Sequence, residues 1–83
     1  MSRLTIEKQD CTRTMDTMKI TGFADGELEE LKNLPHRESG EKLLEMLDKR
    51  NDGIGSTWHN GYGVWSHWFD EEAAYVNIGR NCD

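Results

Sequence analysis

Long apolar runs are missing from this chain of 83 residues: none approaches the roughly 20 consecutive apolar residues that a bilayer-spanning helix requires, so the sequence offers no membrane span. Cysteine is scarce as well. Cys11 and Cys82 allow a single pairing, too few for the multi-disulfide framework by which small secreted domains compensate for a weak core. Met1-Ser2-Arg3-Leu4 opens no apolar segment of the secretory kind, and the expectation is a cytoplasmic protein with two free thiols. Only one proline is present, and no Pro-rich linker, internal repeat or low-complexity tract divides the chain, so residues 1–83 read as a single domain. A domain of this size buries only about 60 to 65% of the surface its unfolded form exposes, which leaves a thin margin of stability.

Catalytic signatures are lacking too. The sequence contains no G-x-G-x-x-G, P-loop or H-E-x-x-H pattern. Ser66 and His67, adjacent in a predicted strand, project to opposite sides and cannot pair as nucleophile and base. Asp70-Glu71-Glu72 reads as a solvated turn rather than an acid–base cluster. His36, His59, His67, Cys11 and Cys82 supply ligand types that suit zinc, but they form no C-x-x-C or H-x-x-x-H element, and His59 and His67 lie eight residues apart. No enzyme activity, cofactor or metal is expected.

Acid is abundant. Sixteen Asp and Glu against ten Lys and Arg give a formal charge of -6, so direct binding to nucleic acid or to an anionic membrane is disfavoured. Apolar residues make up 35%, charged residues 31%, and mean hydropathy is -0.84, polar for a globular domain yet above the range of disorder. The acid is concentrated: residues 24–53 hold nine acids and five bases, against three and four in residues 1–23 and four and one in residues 54–83. Aromatics are segregated into the last third, with only Phe23 outside it.

Leu4 and Ile6, then Met18 and Ile20, alternate with polar residues, which predicts a β-hairpin over 3–8 and 15–23. Asp25 can cap a short helix whose first turn carries Glu27, Glu29 and Glu30 and which Pro35 stops. Ser39 offers a second cap to a helix with Leu43, Leu44 and Leu47 on its buried side, closed by Asn51-Asp52-Gly53. Asn60-Gly61 is the dipeptide preferred in a two-residue hairpin turn, and it predicts strands on both sides, with Thr57 opposite Val64 and apolar groups on both faces. The last stretch reads two ways, since Asp70-Glu71-Glu72 can cap a helix whereas Tyr75, Val76 and Ile78 prefer a strand; a turn followed by a strand over 73–79 is the expectation. The fold class is therefore α+β: an antiparallel sheet with two helices on one face, in the order ββααβββ.

Two surfaces stand out. At about 100° per residue, Glu38, Glu41, Glu45, Asp48 and Asp52 fall on one ridge of the long helix, with successive rises of roughly 4.5 to 6 Å, comparable to the phosphate spacing of a nucleic-acid strand. The alternative for this ridge is a solvated amphipathic face with ordinary i,i+4 pairs, Glu38 to Lys42 and Glu45 to Lys49. The second surface is aromatic: His59, Tyr62 and Trp68 share a strand face that a chain this small cannot cover, so they are candidates for a partner contact or a homodimer contact.

In size, net charge and want of a catalytic motif, the chain resembles small phage-encoded inhibitors of bacterial defence, such as anti-CRISPR and anti-restriction proteins, some of which imitate DNA. The resemblance implies a nuclease or nucleoprotein complex with a basic surface as partner, and a steric block of its nucleic-acid site as mechanism. The expectation is thus an acidic binding protein; the alternative is a homo-oligomeric accessory or structural module that uses the aromatic sheet face.

Overall fold

Alternation of apolar and polar residues forms the two N-terminal strands as expected. The computed structural model describes residues 3–11, 15–60 and 63–79, apart from the side chains of residues 10, 11, 57, 59, 60 and 65. Strand β1, Thr5–Cys11, runs antiparallel to β2, Met15–Thr21, with Ile6 opposite Ile20 and Glu7 opposite Lys19. The period of two puts Ile6, Met18 and Ile20 on one side and Thr5, Glu7, Thr17 and Lys19 on the other. Two further strands, β3 (Val64–Phe69) and β4 (Ala74–Gly79), complete a four-stranded antiparallel sheet in the order β1-β2-β4-β3. The last strand in sequence thus sits inside the sheet, and Ala74, Val76 and Ile78 are buried while Tyr75 and Asn77 face the other way, half-buried.

Among the described residues, three helices link β2 to β3: α1 (Glu27–Asn33), α2 (His36–Arg50) and α3 (Ile54–Asn60). Leu31 of α1 and Leu43 and Leu47 of α2 are fully buried with Ile20 and Val76 in one apolar core, which places the helices over the inner face of the sheet. The fold is α+β with the element order ββαααββ. It departs from the expected order at one element, residues 54–60, which form a helix rather than a strand, and Val64 pairs with Ile78 instead of Thr57.

The physical reason lies in α2. Ile54 and Trp58, four residues apart, both pack on the core, as one helical face requires, and the Asp48 carboxylate accepts the backbone N–H of Ser56 (2.5 Å) and its hydroxyl (2.6 Å), capping the new helix from outside. Gly55 lets the two helices cross closely, since a Cβ there would collide with the Leu44 carbonyl oxygen. The turn at 51–53 does end α2, with Asp52 and Gly53 at φ 55° and 80°, but the chain re-enters a helix at once. Gly61 and Tyr62, and with Gly61 the expected Asn60-Gly61 turn, lie outside the described residues.

Both expected caps are replaced. Gly26, at φ 85°, stands at the start of α1, and the Glu27 carboxylate, not that of Asp25, accepts the Ala24 N–H at 2.6 Å. Helix α2 starts behind Pro35, three residues before Ser39, so Glu38 is a full member of its first turn. Ser39 is buried inside the helix. At the other end of α2, the amide of Asn51, 6% exposed, accepts from the Leu4 N–H (3.0 Å) and donates to the Leu4 carbonyl (2.8 Å). This clamp satisfies both backbone groups of the buried Leu4 where no neighbouring strand reaches.

Candidate functional site

The predicted ridge exists as a row but not as a uniform surface. Glu38, Glu41 and Glu45 are exposed along the first half of α2. Glu41 faces Arg37 at 4.0 Å and Glu45 faces Lys49 at 3.0 Å, both exposed i,i+4 pairs, while Glu38 has no ionic partner among the described residues. Of the expected pairs, Glu45 with Lys49 forms. Asp48 is consumed by the fold as the cap of α3; Asp52 leaves the predicted ridge because α2 ends at Arg50, and in the turn that follows it meets Arg3 at 2.6 Å in an exposed pair. The hydrogen bonds from the Ser56 hydroxyl and N–H hold the Asp48 carboxyl below its ordinary value.

Acids from α1 extend the exposed half. A shallow groove between α1 and α2 is lined by Glu27, Glu30, Lys42, Glu45 and Lys49, and a second, sharing Lys42 and Glu45, is bordered by Glu38 and Glu41. Glu27 is tied by a two-pronged contact to the Arg50 guanidinium, Nη1 at 2.9 Å and Nη2 closer still, which lowers its carboxyl pKa and fastens α1 to the end of α2. With that pair internal, Glu30, Glu38, Glu41 and Glu45 stand against Arg37, Lys42 and Lys49. The contribution of α1 went unseen in the sequence because only tertiary packing brings two short-range acid patterns to one groove.

The aromatic surface is also rearranged. Trp68 lies on the outer face of the sheet, 41% exposed, and its indole stacks on the Tyr75 ring with centroids 5.4 Å apart and planes 6° from parallel. Tyr75 donates its hydroxyl to Asp70 (2.6 Å), which raises the phenol pKa and lowers that of the carboxyl; Asp70 also accepts the N–H groups of Glu72 and Ala73 and so builds the β3–β4 turn. Beside this stack the outer face carries polar groups: the Thr17 hydroxyl donates to Asn77, which donates to Ser66. The two faces are therefore unlike, and the expectation of apolar groups on both is corrected: Val64, His67 and Phe69 turn inward, Trp68 outward. The side chain of His59, the whole of Tyr62 and any pairing of Cys11 with Cys82 lie outside the described residues.

His67 packs among rings on the inner face, beside Phe69. Its ring stacks on His36 (centroids 4.1 Å apart, 17° between planes), meets Phe69 edge-on, and has Nε2 2.9 Å from the hydroxyl of buried Ser39, which in turn lies 2.8 Å from the His36 carbonyl. Burial, then the nearby His36 ring, pushes the imidazole pKa below its ordinary 6.5, against a smaller opposing effect of the His36 backbone. A Cβ on Gly40 would come within 2.8 Å of the His67 ring, so a glycine in the middle of a good helix was the one available signal of this approach. Ser39, at 2% exposure, is closed to a substrate, and the described residues hold no group of three or more His, Cys, Asp or Glu arranged to take a metal. Comparison with protein-family models, with curated proteins and with solved structures found no match to this chain.

Proposed function

We propose that this protein is an acidic, non-catalytic binding protein whose α1/α2 surface occupies a basic, nucleic-acid-binding surface on a protein partner. The observation that carries the reading is the exposed row Glu38, Glu41 and Glu45, joined across the groove by Glu30. Rises of about 4.5 and 6 Å separate these α2 carboxylates along the helix axis, a spacing that side chains set to grip phosphates can follow. The pairs with Arg37 and Lys49 do not discharge the row. Exposed pairs of this kind contribute about 0.2 to 1 kcal/mol at most, so a partner's guanidinium, which can take a carboxylate with two hydrogen bonds, competes with them. The chain keeps its formal charge of -6, which steers it toward cationic surfaces and away from nucleic acid itself. A nuclease or nucleoprotein complex is the partner class with that chemistry, in keeping with the resemblance to phage-encoded anti-defence inhibitors.

The test is capture of partners from nuclease-treated lysate by the tagged protein, followed by a binding titration with the captured protein at several salt concentrations. Reversal of Glu38, Glu41 and Glu45 to Lys together should abolish binding with the fold intact, and wild-type affinity should fall as salt rises. Equal binding by the triple variant would reduce the row to a solvated helix face.

A further inference from the structure

The two edges of the sheet are guarded differently. Edge strand β1 carries Glu7, Lys8 and Asp10 and a bulge between Lys8 and Asp10, devices that discourage a further strand from pairing. Edge strand β3, Val-Trp-Ser-His-Trp-Phe, has no Asp, Glu, Lys or Arg, and its own irregularity, between Val64 and Ser66, leaves residues 66–69 in regular register with β4. Its exposed Trp68 is the large apolar side chain most open to solvent among the described residues.

Register fixes what this edge offers. The Asp70 N–H donates to the Ala73 carbonyl at 3.0 Å, making that pair a hydrogen-bonded one; by alternation Trp68 with Tyr75 and Ser66 with Asn77 are hydrogen-bonded pairs too. The N–H and C=O groups of His67 and Phe69 therefore point away from β4, toward the side on which no strand pairs among the described residues. A strand laid antiparallel with His67 opposite Phe69 of its partner, and Phe69 opposite His67, would satisfy all of them, and β3 meets that description itself when rotated about a twofold axis through Trp68.

We propose that the protein forms a homodimer by antiparallel pairing of β3 with β3 of a second copy, joining two four-stranded sheets into one of eight strands. The twofold sets Trp68 opposite its symmetry mate at a non-hydrogen-bonded position, where side chains approach most closely, and yields an unbroken aromatic row of Tyr75, Trp68 and their two counterparts. Charge selects this arrangement for two like-charged molecules. The strand carries no carboxylate, and antiparallel pairing about Trp68 puts the two turns at Asp70, Glu71 and Glu72 at opposite ends of the junction, about 13 Å apart at Asp70 and farther at the tips, beyond one screening length at physiological salt. Parallel pairing would set them side by side.

Sedimentation equilibrium of the full chain over about 5 to 500 μM tests this, with a micromolar dissociation constant expected for a small interface. The apparent mass should climb from 9.6 kDa toward twice that value, and higher salt should strengthen the dimer by screening repulsion between copies, opposite in sign to the salt effect on a basic partner. Trp68→Lys should weaken association at least about tenfold while leaving the far-UV spectrum unchanged, because the side chain is exposed. In a Cys11→Ser, Cys82→Ser background, Trp68→Cys should oxidise to a covalent dimer about tenfold faster than Ser66→Cys, an exposed site on the same face whose counterpart across the twofold is residue 70. A monomer at every concentration, undiminished association of Trp68→Lys, or equal cross-linking at the two positions would each overturn the proposal.

Discussion

Glu38, Glu41, Glu45 and Asp48 share a row on α2, yet the first three and the last meet different fates. The first three project over an open groove, and their only ionic partners among the described residues are exposed neighbours one turn away. Asp48 is spent on architecture as the cap of α3, while Asp52 lies in the turn beyond α2 and makes an exposed pair with Arg3. Periodicity assigns all five to one face, but α2 ends at Arg50 and Asp52 leaves that face in the turn; the other four would be equivalent on an isolated helix. The difference comes from what the chain does after Arg50: a tight turn brings residues 54–60 back along α2, and any acceptor within reach of their free N–H groups is recruited. The comparison teaches that charge on a helix face is available for recognition only where no helix terminus lies beside it.

Substitutions that dislodge α3 should break this division most severely. Gly55→Ala drives a methyl group into the Leu44 carbonyl, a backbone atom that cannot step aside, and should cost about 3 kcal/mol in denaturant unfolding, the upper end of overpacking effects. Asn51→Ala leaves the buried N–H and C=O of Leu4 without their partner and should cost about 2 kcal/mol by the same measurement. Asp48→Asn should destabilise less than either, and more than Glu38→Gln. Acid should reproduce it. Because the folded chain holds the Asp48 carboxyl below its ordinary 3.8, the unfolded chain binds more protons across that window; the stabilisation is complete above the ordinary value and is lost as pH falls through the folded one. A pH series of thermal unfolding from neutral to strongly acid conditions should therefore show a smaller acid-induced loss in Asp48→Asn than in wild type. Smallest of all should be the effect of Glu38→Gln, Glu41→Gln and Glu45→Gln on stability, within about 0.5 kcal/mol in total, as expected for exposed charges.

Legibility in the sequence followed the range of the interaction. Period-2 alternation sufficed for β1 and β2, and three leucines with a Gly-terminated turn sufficed for α2, because each pattern is local and one-sided; β4 rested on the strand preference of Tyr75, Val76 and Ile78 against a competing helix signal at 70–72. Residues 54–60 were misread because Asn60-Gly61 is a strong local hairpin cue, whereas the determinants of α3 lie 8 and 11 residues upstream, in the Asp48 carboxylate and the Leu44 backbone. Of the candidate site, the exposed carboxylates of α2 and the accessibility of Trp68 could be read directly. The Tyr75 ring beneath that tryptophan and the α1 acids across the groove could not, since they depend on strand order and helix packing that no short pattern encodes.

The Asn51 clamp on Leu4 has a kinetic consequence. It joins residues 47 positions apart and can form only after both the end of α2 and the entry to β1 have reached their final places. A contact that closes so long a loop is absent from an early nucleus built on the local helix and hairpin. Asn51→Ala should therefore leave the refolding rate nearly unchanged and hasten unfolding in stopped-flow measurements, which makes one amide the latch that sets the lifetime of the native molecule rather than the speed of its formation.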